Sequence, residues 1–113
     1  MKIISDQITI QELKDMAEKM FGSLVKAVVD IEKKVMAVDA ELHSDLNGLL
    51  IENGSKKENT WGINIYPDKE DENLIEFDSM INLKPASGNK TRDIEDQAIR
   101  EKIIKITDKI IKR

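Results

Sequence analysis

Two short stretches of the sequence carry carboxylates and a histidine of the kind that bind a divalent cation or transfer a proton. In "ELHSD", His43 is the only histidine of the chain, and Glu41 and Asp45 lie two residues to either side of it. In "EFD", Glu76 and Asp78 are two residues apart, so they share one face of a strand. Hard divalent cations bind such groups, and general acid–base catalysis uses them. The five residues are therefore predicted to be candidate metal ligands.

His43 also has a plainer interpretation, because it lies where a strand is predicted to end and a helix to begin. It is then a capping or hydrogen-bonded boundary residue, and one histidine cannot form a multi-histidine zinc site. No nucleophile elbow surrounds Ser44 or Ser79, so no catalytic triad is indicated. The candidate catalytic residues are Glu41, His43 and Asp78, and whether the chain is an enzyme stays open at this point.

A second candidate region is the loop "KPASGNKTR", which precedes a predicted helix. Its Ser, Thr, Lys and Arg side chains are phosphate-binding types, and a helix N-terminus attracts anions. No Walker A motif is present, and Glu95 and Asp96 at the helix start compete with an anion. The alternative is a long turn with solvated lysines. The predicted ligand-binding residues for a small anionic ligand are Asn64, Asn82, Asn89 and Lys90.

Composition limits the kinds of protein this chain can be. A chain of 113 residues is expected to form a single domain, residues 1–113, and 40% hydrophobic with 35% charged residues is typical of a globular protein. The net charge of −4 argues against nucleic-acid binding. Without cysteine there are no disulfides and no thiolate chemistry. No apolar run is long enough for a signal peptide or a membrane span, so a cytoplasmic location without membrane association is expected.

Three helices are predicted from apolar periodicity and end signals. The first begins at Thr9, which forms a capping box with Glu12, and ends at Gly22. The second follows His43, with Ser44 or Asp45 as its cap, and ends at Asn53-Gly54. The third is capped by Asp93 and carries an isoleucine stripe at 99, 103, 106 and 110.

Two hairpins are predicted between these helices. In the first, a turn at Glu32-Lys33 places Val29 opposite Met36. In the second, the strand "TWGINIYP" pairs with a long strand, "LIEFDSMINLKP". With a short edge strand "KIIS", the order is (β)-α-β-β-α-β-β-α. This order predicts an α+β two-layer sandwich, with a mainly antiparallel four- to five-stranded sheet and its helices on one face.

The face of this sheet that points away from the helices is predicted to be polar. The register of the second hairpin places Asn64 near Glu76 and, further along, Gly62 near Asp78. Apolar residues share the face: Val28, Val35, Ala37, Leu74 and Met80. It is therefore a solvated surface, a metal or ligand site, or a face covered by a terminus or a second copy of the chain.

Whole phrases of the sequence resemble a known family. The phrases "WGINIYP" and "IEFDSMINLKP", with "ELHSD" before them, are similar to short prokaryotic proteins classified as a domain of unknown function. The similarity spans most of the chain, from the first helix to the last. The resemblance implies a complete, free-standing protein and lends no activity to it.

Two functional hypotheses follow. The first is a small cytoplasmic binding or interaction module, a candidate homodimer through the mixed sheet face or the Ile-rich last helix. The second is a metal-assisted hydrolase that acts on a phosphorylated small molecule or nucleic acid, with its divalent metal among the carboxylates.

Overall fold

A five-stranded antiparallel sheet forms the middle of the protein in the computed structural model, which describes residues 1–113. The strands in chain order are β1 (Lys2–Ile4), β2 (Ile8–Thr9), β3 (Val25–Asp30), β4 (Val35–Val38), β5 (Thr60–Ile65), β6 (Ile75–Glu76) and β7 (Ile111–Lys112). The helices are α1 (Ile10–Lys19), α2 (His43–Glu52) and α3 (Gln97–Ile110). The sheet order is β1-β4-β3-β5-β6, which confirms the predicted α+β class, the three helices and the edge strand at the start.

The first hairpin has the predicted register, with Val29 opposite Met36. Its turn is held by the carboxylate of Asp30, whose Oδ1 accepts hydrogen bonds from the backbone N–H groups of Glu32 and Lys33, both at 2.9 Å. Lys34 then adopts a left-handed conformation with φ of 59°. The Asp30 carboxylate therefore stabilises the turn as a fixed acceptor for two of its amides.

The second hairpin is paired as predicted only at its closed end. Asn64 is opposite Glu76, but β6 stops there instead of running on to Pro85. The chain continues through two short 3-10 helices, Met80–Asn82 and Pro85–Ser87. A Cβ built on Gly62 would lie 2.5 Å from the Cβ of Ser79. The missing side chain of Gly62 therefore lets the segment after β6 cross over β5 rather than continue beside it.

One face of the sheet carries α1 and α3 and the larger part of the core. Thr9 caps α1 as predicted, with Oγ1 accepting from Glu12 N at 3.1 Å. The helix α3 begins later than predicted, because its cap is Asp96 and not Asp93. The largest buried cluster lies on this face and draws its side chains from both helices and from the sheet. Its members include Leu13, Ala27, Val29, Met36, Trp61, Ile63, Ile103 and Ile110.

The opposite face of the sheet is covered by α2, which corrects the prediction that all helices lie on one face. Leu46 and Leu50 of α2 form a second buried cluster with Val28 and Ala37, and Ile81 packs against it. Those two sheet residues are among the apolar members of the face predicted to be polar. Both surfaces considered for a homodimer, this face and the isoleucine stripe of α3, are thus packed against the chain itself. The homodimer stays a prediction.

The two ends of the chain are joined by a small second sheet that the sequence patterns do not predict. In it β2 and β7 pair in parallel, with Ile8 opposite Ile111. Both side chains are buried, at 1% and 6% exposure.

None of the three helices has the length and apolar character that crossing a membrane would require.

The close approach at Gly62 makes a specific prediction about stability. Gly62→Ala forces a methyl group into Ser79 and should lower the free energy of unfolding by about 1–3 kcal/mol, as overpacking does. Gly48→Ala in α2 is the matched control, since its Cβ would meet nothing within 4 Å. It should raise stability by about 0.5–1 kcal/mol. Urea denaturation of both variants measures this, and equal stabilities would contradict the crossing described above.

Candidate functional site

The predicted polar region exists as a group of neighbouring side chains at the β5–β6 edge, close to the start of α2. We call this group the polar cluster; it comprises His43, Asn64, Tyr66, Glu76, Asp78 and Arg92. The Oε1 atom of Glu76 accepts from Asn64 Nδ2 at 2.9 Å and from Tyr66 OH at 3.0 Å. Arg92 Nε donates to Asp78 Oδ1 at 2.7 Å. The predicted proximity of Asn64 and Glu76 is thus a direct hydrogen bond.

His43 is a buried residue that joins α2 to the sheet. Its Nε2–H donates to the carbonyl oxygen of Ile63 in β5 at 2.8 Å. Burial lowers the pKa of His43, the hydrogen bond to Ile63 opposes that shift, and the charge of Lys26 adds to it. The imidazole is therefore neutral near pH 7. His43 is thus a hydrogen-bonded residue at the start of a helix, which was the alternative interpretation of the sequence. The predicted cap of α2 is wrong, because neither Ser44 nor Asp45 makes a side-chain capping bond.

The five predicted metal ligands do not come together as one set. Glu41 and Asp45 are exposed, whereas His43 between them is buried. Asp78 is already paired with Arg92, and Glu76 holds Asn64 and Tyr66. No three histidine, aspartate or glutamate side chains in the chain are placed to hold a metal ion.

The Tyr66 hydroxyl, which sequence reasoning missed, has a pKa raised by burial and then by its hydrogen bond to Glu76.

Asn82, a predicted ligand-binding residue, is instead bonded to the backbone of β5. Its Oδ1 accepts from Gly62 N at 2.8 Å, and its Nδ2 donates to Gly62 O at 3.0 Å. A second bond runs from Nδ2 to Arg92 O at 3.0 Å. Asn82 is fully buried. Its amide therefore takes the place of a neighbouring strand at the point where β6 has ended.

Asn89, the next predicted ligand-binding residue, holds the loop that follows. Its Nδ2 donates to Asn82 O and Asp93 O, both at 2.7 Å, and its Oδ1 accepts from Glu95 N at 2.9 Å. Lys90 is exposed, and its backbone N–H donates to the Glu95 carboxylate at 2.6 Å. These bonds hold the loop from Pro85 to Arg92 in place, and the anion site expected there stays a prediction. The same bonds keep the residues before Asp96 out of α3.

The structure brings together a different set of charged side chains on the other side of the sheet. Between α3 and the β3–β4 turn lies a surface cavity of about 410 Å³. We call it the lysine groove; its lining residues are Ser5, Ile31, Lys34, Lys102, Lys105, Ile106, Lys109 and Ile110. Ile106 and Ile110 point into the core and are 6% and 2% exposed, so they form the floor. The lysines form the walls.

None of the four lysines of the groove has a carboxylate partner. The ion pairs of the chain involve Asp39, Asp68, Asp78 and Asp93, and all are elsewhere. No acidic residue lines the groove. In a chain with 22 acidic and 18 basic residues, this concentrates positive charge at one place on an acidic protein. The lysine groove is therefore a surface suited electrostatically to an anion.

Part of this groove could have been found in the sequence. Lys102, Lys105 and Lys109 follow one another at intervals of three and four residues, which places them along one side of a helix. Ile106 and Ile110 lie beside them on the same helix. The contributions of Ser5 and Lys34 have no such signal, because only the tertiary fold brings the β1 end and the β3–β4 turn to α3.

The fold and these two polar regions define a small α+β protein with a basic groove on an otherwise acidic surface. The chain belongs to the DUF5674 family, described as a protein of unknown function, whose model matches residues 2–110. This confirms the resemblance to a domain of unknown function that the phrases of the sequence carry. No curated protein and no solved structure was found to match the chain.

The bonds of Asn82 predict a large effect of truncation. Asn82→Ala leaves the buried N–H and C=O of Gly62 without partners, so the free energy of unfolding should fall by about 2–4 kcal/mol. Asn73→Ala is the matched control, since Asn73 is exposed and should change stability by less than about 0.5 kcal/mol. Chemical denaturation compares the two. A small effect at Asn82 would mean that its amide is free to bind something else.

The burial of His43 predicts a specific pH dependence of stability. The folded pKa lies below the ordinary value of 6.5, so the unfolded chain takes up the proton first as the pH falls. The stability contributed by neutral His43 is therefore complete above about pH 7 and is lost as the pH falls through the folded pKa. His43→Gln keeps an N–H donor without this titration. Its urea midpoint should fall less than that of the wild type between about pH 7 and pH 5. Parallel curves for the two proteins would refute the assignment.

Proposed function

We propose that this chain is a binding module that holds a small anionic ligand in the lysine groove. The observation that carries the proposal is that four lysine side chains, and no acidic side chain, line one cavity. An anion in the groove would meet several positive charges and no carboxylate among the lining residues.

The size of the groove supports a small ligand. Its volume of about 410 Å³ lies within the usual range for small-molecule sites, about 300–1,000 Å³. At the surface, a contact between two unit charges about 4 Å apart contributes about 1–4 kcal/mol. Several such contacts together give affinities that are measurable in dilute solution. The aliphatic floor supplies a non-polar surface beneath the charges, which suits a ligand with a carbon body.

The regions that the sequence favoured have less to offer an anion. In the polar cluster, the Glu76 carboxylate bonds to Asn64 and the Asp78 carboxylate bonds to Arg92, and both carboxylates would repel an anion. In the loop from Pro85 to Arg92, Asn89 is occupied by backbone groups and the Glu95 carboxylate lies against Lys90 N. The metal-assisted hydrolase has less support as well, since no three suitable side chains are placed to hold its metal. The binding module is therefore the better-supported hypothesis.

The proposal predicts that binding depends on the groove lysines and not on total charge. Isothermal titration calorimetry with sodium tripolyphosphate should give a dissociation constant at least about tenfold weaker for Lys102→Gln/Lys105→Gln than for the wild type. Lys19→Gln/Lys56→Gln is the matched control, because it removes the same two charges from exposed positions outside the groove. The control should bind as the wild type does.

Salt provides a second check on the same measurement. Binding should weaken as sodium chloride is raised from about 50 mM to about 200 mM, because exposed charges are screened. An equal loss of affinity in both double variants would contradict the proposal, since it would mean that tripolyphosphate responds only to net charge. An absence of binding in the wild type at low salt would contradict it outright.

A further inference from the structure

The cations of the lysine groove are all lysines, and this indicates the chemistry of the ligand. Arg100 and Arg113, the arginines nearest to the groove lysines in sequence, do not line the groove. Arginine offers a planar fork that matches a carboxylate with two parallel hydrogen bonds, whereas lysine acts as a point charge and is a standard phosphate binder. The same fork also matches a phosphate, so without arginine the groove attracts an anion by charge and not by fork geometry. A site of point charges favours the more highly charged phosphate group over a carboxylate.

The arrangement of the lysines favours more than one phosphate. Along α3, the step from Lys102 to Lys109 is seven residues, or about 10 Å at 1.5 Å per residue. Lys34 adds a charge from the β3–β4 turn on the opposite wall. A single phosphate group, with a charge of about −2, would balance only about half of the charge of the four lysines. A molecule with two or more phosphates can contact several of these lysines at once, and its affinity then sums over the contacts.

The rest of the lining indicates what the ligand does not contain. The groove has no aromatic side chain on which a nucleobase could stack. It has no carboxylate or amide side chain to read the edge of a base, and its uncharged polar group is the hydroxyl of Ser5. The remaining lining residues are the aliphatic Ile31, Ile106 and Ile110. Recognition of a nucleotide through its base has no basis in these residues.

We infer that the natural ligand is a small molecule bearing two or more phosphate groups on a non-aromatic body, recognised through its phosphates. This inference rests on the proposed function, since it names the class of anion that the lysine groove holds. The phosphates contact Lys34, Lys102, Lys105 and Lys109, and the carbon body lies over the isoleucine floor. The Ser5 hydroxyl donates to a phosphate oxygen or accepts from a ligand hydroxyl.

The experiment compares four probes on the intact chain by calorimetry at one pH and one ionic strength. The probes are fructose 1,6-bisphosphate, tripolyphosphate, ATP and citrate. The expected result is that the bisphosphate and tripolyphosphate bind at least about tenfold more tightly than citrate, and that ATP binds no more than about twofold more tightly than tripolyphosphate. All binding should weaken at least about tenfold in Lys102→Gln/Lys105→Gln. These lysines are exposed, so the variant keeps its fold.

Each other outcome has a distinct meaning. If citrate binds as tightly as the phosphates, the phosphate inference is overturned while the anion-binding proposal stands. If ATP binds much more tightly than tripolyphosphate, the base is recognised and the non-aromatic class is overturned. If no probe binds the wild-type chain, the proposed function and this inference both fall. If binding is tight but unchanged in the groove variant, the site lies elsewhere and both fall for that reason.

Discussion

The path of the last third of the chain depends on one pair of groups, the side-chain amide of Asn82 and the peptide of Gly62. The amide bonds to both the N–H and the C=O of Gly62, so it completes the edge of β5 without a neighbouring strand. Gly62 permits this because it has no Cβ, and Ser79 occupies the space that a side chain would need. An edge left open at this point would carry buried, unpaired backbone groups, which proteins avoid.

Two consequences follow from this contact. The segment after β6 lies over the sheet beside α2, where Ile81 joins Leu46 and Leu50 in covering the second face. Asn89 then bonds to Asn82 O and to the backbone at Asp93 and Glu95, which leads the chain to the start of α3 on the first face. The position of α3 sets where its lysines meet the β3–β4 turn. The structural loop and the lysine groove are therefore parts of one arrangement.

Local features of the fold could be predicted from the sequence because short-range physics decides them. The Thr9 cap, the β3–β4 register and the pairing of Asn64 with Glu76 depend on alternation and on capping groups a few residues apart. The end of β6 could not be predicted in this way. Alternation continues through Ser79 and Ile81, and the contact that ends the strand joins residues twenty positions apart.

Candidate sites are harder to predict than elements, for a related reason. An asparagine that binds a ligand and one that binds the backbone have the same side chain, and only its partners distinguish them. The sequence therefore predicts a ligand for Asn82 and Asn89, whereas their partners are peptide groups. It also groups the carboxylates near His43 into one metal site, because alternation gives neighbours but no distances. Three of the groove lysines can be recognised in the sequence as a row along one helix. Lys34 comes from a distant part of the chain, and only the tertiary structure shows that it lines the same groove.

The proposed anion site at the lysine groove can be tested directly against the loop from Pro85 to Arg92. The most direct measurement is the amide NMR spectrum of the labelled protein in sodium phosphate, compared with sodium chloride at the same ionic strength. We expect shifts confined to Ser5, Ile31, Lys34 and residues 102–110. Shifts confined to residues 85–92, or no selective shifts at all, would contradict binding in the groove.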